Sequence, residues 1–185
     1  MNDTDAALIY AQQVLGLERP RVGLLNIGAE DSKGTDLQKQ TLARLKEADA
    51  AGHLHFIGNI EAKEAIKGGC DVIVTDGFSG NILLKTMEGV GSFAGSALKS
   101  MFKKNLLTKL AALAVMPGLN AFKDKLDPNK VGGTAFIGIS KAVIKAHGAS
   151  NAEAVENAVG QAAAFARSGL IEKIEENVNL MKIEQ

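Results

Sequence analysis

Tryptophan is absent from this chain of 185 residues, and cysteine occurs once, at Cys70. A single cysteine excludes an intrachain disulfide framework and points to a reducing compartment. An excess of one charge sign is also missing. The 21 basic residues balance 21 acidic ones, so no global basic field calls for nucleic acid. No apolar run reaches the roughly 18 residues of a bilayer-spanning helix. The opening "MNDTDAALIYAQQVLG" has no cationic n-region and does not read as a secretory signal. There is no Ser/His/Asp order, no Walker sequence and no G-x-G-x-x-G fingerprint. His53 and His55 flank one strand position, but no third ligand accompanies them. The expectation is a cytoplasmic α/β protein without metal or cofactor, long enough to bury a substantial core.

What is present alternates. "DAALIYAQQVLG" reads as a helix closed by Gly16, and "RVGLLNIG" (Arg21–Gly28) as a buried strand entering a loop. A helical segment follows, with Leu37, Leu42 and Leu45 near helical spacing and Gly52 as its stop. "LHFIGN" and "DVIVTD" read as two more strands, separated by the short helix "EAKEAIKGG". From Asn81 to about Lys125 the pattern is helical, with Pro117-Gly118 as a break. "TAFIGIS" and "AVIKAHG" predict two further strands, and Glu153 to Met181 a long terminal helix or two. Strands separated by helices argue for a mostly parallel sheet with covered faces.

In such sheets ligands bind beyond the carboxyl ends of the strands. The loops "NIGAEDSKGTD", "GNIEAKE", "DGFSGN" and "KAHGAS" each follow a strand, and each mixes glycine with polar or ionisable residues. Glycine permits close backbone approach, and N–H groups at a helix start suit an anion. Lys33, Lys85 and Lys145 can neutralise a phosphate, and His147 can move a proton near neutral pH. Each feature also has a plainer reading. Gly77 and Gly80 serve equally for a tight turn, Asp76 for a cap, His147 for a structural role, and the lysines for solvated surface. Cys70, directly before a buried strand, reads as a packed thiol.

The stretch from Lys99 to Lys125 differs in kind, with six lysines against one aspartate in an otherwise neutral chain. On a helical wheel Phe102, Leu106, Leu107, Leu110 and Leu113 share one side, while Lys104, Asn105 and Thr108 lie opposite. An apolar face with cationic flanks suits an anionic membrane surface or an acidic protein partner. A helical hairpin that buries this face in its own core or in a dimer fits the same pattern.

The segments "RVGLLNIGAEDSKGTDL", "FIGNIEAKE", "CDVIVTDGFSGNILLKTMEG", "VGGTAFIG" and "VIKAHGAS" occur in this order and spacing. Together they closely resemble the carboxyl-terminal half of the bacterial phosphate acyltransferases of phospholipid synthesis. The resemblance runs from about Ala6 to Val178, nearly the whole chain. The family's amino-terminal half, with its "DAMGGD" loop, has no counterpart here, and the family's cleft draws on both halves.

The resemblance implies a three-layer α/β/α fold related to isocitrate and isopropylmalate dehydrogenases, with a protruding helical hairpin. On that reading residues 1–98 and 129–185 form the α/β core, and residues 99–128 a basic amphipathic insertion. It implies formation of acyl phosphate from an acyl thioester on acyl carrier protein and inorganic phosphate. A homodimer in peripheral contact with the membrane is implied too, with Leu106, Leu107, Leu110 and Leu113 on the lipid side. Matching motif to motif, the phosphate and substrate positions are Asn26, Gly28, Glu30, Gly34, Asn59, Asp76, Gly77, Phe78, Gly80, Lys85 and Lys145. Asn81, Lys33 and His147 are the candidates for catalysis. The alternatives are a phosphotransacetylase-like enzyme acting on coenzyme A thioesters and a catalytically incomplete fragment that binds membrane or carrier.

Overall fold

The computed structural model describes residues 3–13, 16–126, 132–136, 139, 141–148, 150–169 and 171–172. The chain divides into two compact units. One comprises Met1–Asp76, Ala135–Ile144 and Gly160–Gln185, the other Gly77–Thr134 and Lys145–Val159.

The first unit is built around β1 (Arg21–Asn26), whose Val22 is fully buried and whose Leu24 is nearly so. Burial on both faces is what a central parallel strand requires. β2 (His55–Glu61) and β3 (Val72–Val74) flank it, both parallel, in the order β2-β1-β3. Val22 pairs with Phe56 on one side and Val72 on the other. The helices α1 (Asp3–Gln13), α2 (Asp36–Ala50) and α3 (Ala62–Ile66) complete this unit's described framework before β3, with α2 and α3 as the crossovers. Leu8, Leu42, Leu45 and Leu54 close the core over Val22 and Leu24. Leu37 does not join them and is 59% exposed. Five residues of helix separate it from Leu42, a rotation of about 140° that carries it off the packed face.

At the amino-terminal edge of the sheet Arg21 clamps β1 to β3. Its guanidinium donates to both carboxylate oxygens of Asp71, at 3.0 and 2.9 Å. It also reaches the Gly68 and Gly69 carbonyls at 2.9 and 3.2 Å. The guanidinium holds the Asp71 carboxyl down at about 2.

The second unit holds two long helices, α4 (Gly77–Phe102) and α5 (Leu106–Leu126). Asn105 begins α5 with a reciprocal cap: its Oδ1 accepts the Thr108 N–H at 2.9 Å, and its own N–H donates to Thr108 Oγ1 at 3.0 Å. No described side chain of either helix is buried. Among the described residues no helix is long and apolar enough to cross a membrane. β4 (Gly133–Ala135) and β5 (Ile144–Ala146) form a two-stranded ladder of their own. α6 (Ala152–Arg167) starts at Asn151, whose Oδ1 accepts the Ala154 N–H at 2.9 Å.

Several sequence expectations are corrected. The helical break falls at residues 103–105 instead of at Pro117, which lies inside α5. Proline there removes one N–H, so the Leu113 carbonyl loses its intrahelical partner, but the helix continues beyond it. Of the strands expected from "TAFIGIS" and "AVIKAHG", the described residues hold β4 and β5, three residues each, paired with one another and not with the parallel sheet. Part of "TAFIGIS" lies outside the described residues. The terminal helix ends at Arg167, and the stretch expected to continue to Met181 lies mostly outside the described residues.

Candidate functional site

Three of the four glycine-bearing segments singled out from the sequence lie towards the carboxyl ends of β1, β2 and β3, and the fourth begins within β5. Asn26, Gly28, Glu30, Lys33, Gly34, Asn59 and Asp76 belong to the first unit, and Gly77, Phe78, Gly80, Asn81, Lys85, Lys145 and His147 to the second.

The loop after β1 is the most fully built of these segments. Asn26 turns its side chain back over the loop: Nδ2 donates to the Lys33 carbonyl at 3.2 Å, and Oδ1 accepts the Ile27 N–H at 2.8 Å. Gly34 takes φ +91°, and a Cβ there would lie 2.7 Å from Asn26 Oδ1. Only glycine meets both the backbone angle and the close approach. Gly28 is buried, and a Cβ on it would lie 2.7 Å from Glu30 Oε2 and 3.1 Å from Lys33 Cγ. The Lys33 N–H donates to the Glu30 carbonyl at 3.1 Å, closing a turn. The side chains of Glu30 and Lys33 are exposed, whereas Asp31 is tied to Lys46 of α2. The loop ends at Thr35, whose N–H donates to Gln38 Oε1 at 2.9 Å and so begins α2.

Asn59, read from the sequence as the last residue of its strand, lies within β2, which runs on to Glu61 and is bulged: Val22 of β1 faces Phe56, yet Leu24 faces Asn59. Gly58, at φ +93°, absorbs the extra residue. The bulge leaves Asn59 buried, with Nδ2 donating to the Glu30 carbonyl at 3.0 Å and Oδ1 without a partner among the described residues.

Where β1 and β3 end, Leu24, Leu25, Leu37 and Val74 wall a cavity of about 90 Å³ with Thr75 and Asp76 at its margin. The Thr75 hydroxyl donates to the Asp76 carbonyl at 3.2 Å. Cys70, half-buried before β3, has its thiol pushed upward by burial and so stays protonated near neutral pH.

In the second unit the "GFSGN" stretch is itself the first turn and more of α4, which begins at Gly77. Asn81 therefore sits one turn into the helix and not at its start, and it is exposed. Neither Gly77 nor Gly80 has a positive φ, so a left-handed turn does not account for either glycine. Lys85 Nζ lies 2.8 Å from Glu88 Oε2. That contact holds the Glu88 carboxyl below its ordinary range, with His147 adding a smaller pull in the same direction. Lys145 and His147 are exposed on and just after β5, and Phe78 is 77% exposed. Glu88 was not anticipated, although Lys-x-x-Glu on a helix is a legible ion-pair spacing. Gln38 was not anticipated either, although Thr35-x-x-Gln38 is a capping signature.

Loop backbone and lysine are groups that suit an anion, and imidazole is a group that suits proton transfer near neutral pH. Comparison with known proteins narrows this. The sequence model of a family described as "Fatty acid synthesis protein" matches residues 5–173. A phosphate acyltransferase of Brevibacillus brevis is 46% identical over 170 residues, 92% of this chain and 50% of that protein. One from Thermoanaerobacter pseudethanolicus is 44% identical over 173 residues, 94% of this chain and 51% of its own length. Another, from Alkaliphilus oremlandii, is 46% identical over 171 residues and is likewise half covered. The chain thus spans about half the length of the curated relatives it matches. On this match over nearly its whole length, the chain belongs to the fatty acid synthesis protein family.

Proposed function

We propose that the chain carries part of a phosphate acyltransferase, transferring an acyl group from a thioester on acyl carrier protein to inorganic phosphate. The observation that carries this reading is the family match across residues 5–173, together with relatives that bear that enzyme's name. A phosphate oxygen attacks the thioester carbonyl, a C–O bond forms, and the C–S bond breaks to release the carrier thiolate. The products are acyl phosphate and free carrier, for use in phospholipid synthesis.

The protein must supply a cradle for a dianion, stabilisation of the tetrahedral oxyanion and a proton for the leaving sulfur. We assign the cradle to the loop Asn26–Gly34 with Lys33 and to the first turns of α4, Gly77, Phe78, Gly80 and Asn81, with Lys85. α4 begins at Gly77, so its positive end favours an anion there. The Asn81 amide is a donor for phosphate or oxyanion, and His147, with Lys145 near it in sequence, is the acid. Glu30, Asn59 and Asp76 line the substrate side in this reading. No enzyme nucleophile is needed, which fits a thiol at Cys70 that burial keeps protonated.

The finer architecture belongs to the same proposal: a three-layer fold of the isopropylmalate dehydrogenase kind, with residues 99–128 as a basic insertion. That insertion would meet anionic membrane through Leu106, Leu107, Leu110 and Leu113, each more than half exposed, in a cytoplasmic homodimer. Two alternatives stand beside this reading: coenzyme A in place of the carrier as thiol, and a catalytically incomplete fragment that binds membrane or carrier. The test is acyl phosphate formation by this chain from phosphate and either acyl-acyl carrier protein or acyl-coenzyme A. Product from the carrier thioester supports the proposal. Preference for coenzyme A supports the first rival, and no product from a folded sample supports the second. Vesicle flotation of wild type against Leu110→Glu tests the lipid contact, and equal flotation would remove these leucines from it.

A further inference from the structure

Three observations meet at Asn59. The bulge at Gly58, with its positive φ, turns the Asn59 side chain inward, where it is 8% exposed. One Nδ2 proton is committed to the Glu30 carbonyl at 3.0 Å, and Oδ1 is buried without a partner among the described residues. The Glu30 carbonyl also accepts the Lys33 N–H at 3.1 Å, and the Lys33 carbonyl in turn accepts Asn26 Nδ2 at 3.2 Å. Two side-chain amides, one from β1 and one from β2, therefore grip the two ends of a single turn. The side chains of Glu30 and Lys33 take no part in this clamp and are exposed.

A buried acceptor left unpaired is a liability that an apolar side chain of similar shape avoids. Burial therefore does not explain an asparagine at this position; its grip on the loop does. Direct contact with phosphate does not explain it either, because the side chain is buried beneath the loop.

We infer that Asn59 is a positioning residue, which acts through the Glu30 carbonyl to hold the Asn26–Gly34 loop in the shape that presents Lys33 to phosphate. This rests on the reading of that loop as a phosphate site. It changes the part played by Asn59, and with it Asn26, from substrate contact to clamp.

The experiment uses the full 185-residue chain labelled with nitrogen-15, as wild type, Asn59→Leu and Asn26→Ala. Inorganic phosphate is titrated into each while amide resonances and melting temperature are recorded. For Asn59→Leu the expected result is an undiminished melting temperature, displaced resonances at residues 29–34, and phosphate binding weakened about tenfold, the scale of one lost hydrogen bond. Asn26→Ala, which releases the other end of the turn without altering β2, is expected to displace the same resonances. Unmoved loop resonances with unchanged phosphate affinity would overturn the inference. A lowered melting temperature with the loop unmoved would also overturn it, since that is the mark of a merely structural asparagine. If wild type itself shows no phosphate-dependent shift, the phosphate reading of the loop fails. The loop resonances of the two variants then decide the clamp by themselves.

Discussion

Replacing Gly34 with alanine perturbs the loop after β1 in two separable ways. The backbone at φ +91° is strained for any residue with a Cβ, at a cost of about 1–3 kcal/mol. The new methyl also arrives 2.7 Å from Asn26 Oδ1 and 2.9 Å from its Nδ2, so the amide must move. Moving it releases the bonds to the Lys33 carbonyl and from the Ile27 N–H, each worth about 0.5–1.5 kcal/mol. The sum is about 2–6 kcal/mol, which for a chain of this size lowers the melting temperature by roughly 4–24 °C. Urea denaturation of wild type, Gly34→Ala, Asn26→Ala and the double variant resolves the two contributions. With Asn26 already truncated there is no amide left to displace, so Gly34→Ala should cost about 1–3 kcal/mol less than it does in wild type. Costs that add to within about 0.5 kcal/mol would refute the argument, because independent sites behave in that way. A Gly34→Ala variant as stable as wild type would refute it more simply.

Other consequences follow from packing, charge and capping. Leu45 is 3% exposed whereas Leu110 is 57% exposed. Leu45→Ala should therefore cost about 2–5 kcal/mol in urea, while Leu110→Ala stays within about 0.5 kcal/mol. The Asp71 carboxyl has its pKa lowered from 3.8 to about 2 by Arg21. Its contribution to stability is complete above the unfolded value and is lost as pH falls from about 4 to about 2. Asp71→Asn should flatten that part of the melting temperature profile, and an unchanged slope would remove the pair from acid sensitivity. Asn105→Ala removes the side chain that caps α5 and should weaken its first turn by about 1 kcal/mol. Faster hydrogen exchange at the amides of residues 106–109, with the sheet amides unchanged, is the expected reading.

The parallel sheet was legible because β1 and β2 carry apolar residues between glycine and polar punctuation. Hydrophobic burial and local propensity agree there, and the observed strands match the reading closely. The helical break was misplaced because Pro117 is a loud local signal, while Asn105-x-x-Thr108 is a quiet one that depends on two side chains exchanging hydrogen bonds with backbone. The start of α4 was misread for a related reason. Glycine and serine suggest a loop, yet from Gly77 the backbone is already helical. The sequence ends this strand at Asn59, two residues before β2 stops at Glu61, because a bulge leaves no mark beyond a glycine and Gly58 could equally have closed the strand. The loops themselves were found from composition alone. What each side chain does within them depends on the return path of Asn26 and on a register slip, and neither is a property of local sequence.

The central position of β1 has a consequence for how the chain comes together. Both neighbours of β1 follow it in sequence: Val22 pairs with Phe56, 34 residues on, and with Val72, 50 residues on. At synthesis rates of about 5–20 residues per second, β1 waits roughly 3–10 s between its own synthesis and that of the later of these two partners. Throughout that interval its valine and leucines lack the sheet that covers them in the finished molecule. Parallel pairing across such separations carries a loop-closure penalty that slows assembly. The same placement that buries Val22 most deeply therefore leaves the apolar residues of β1 uncovered by their strand partners while those partners are still being made.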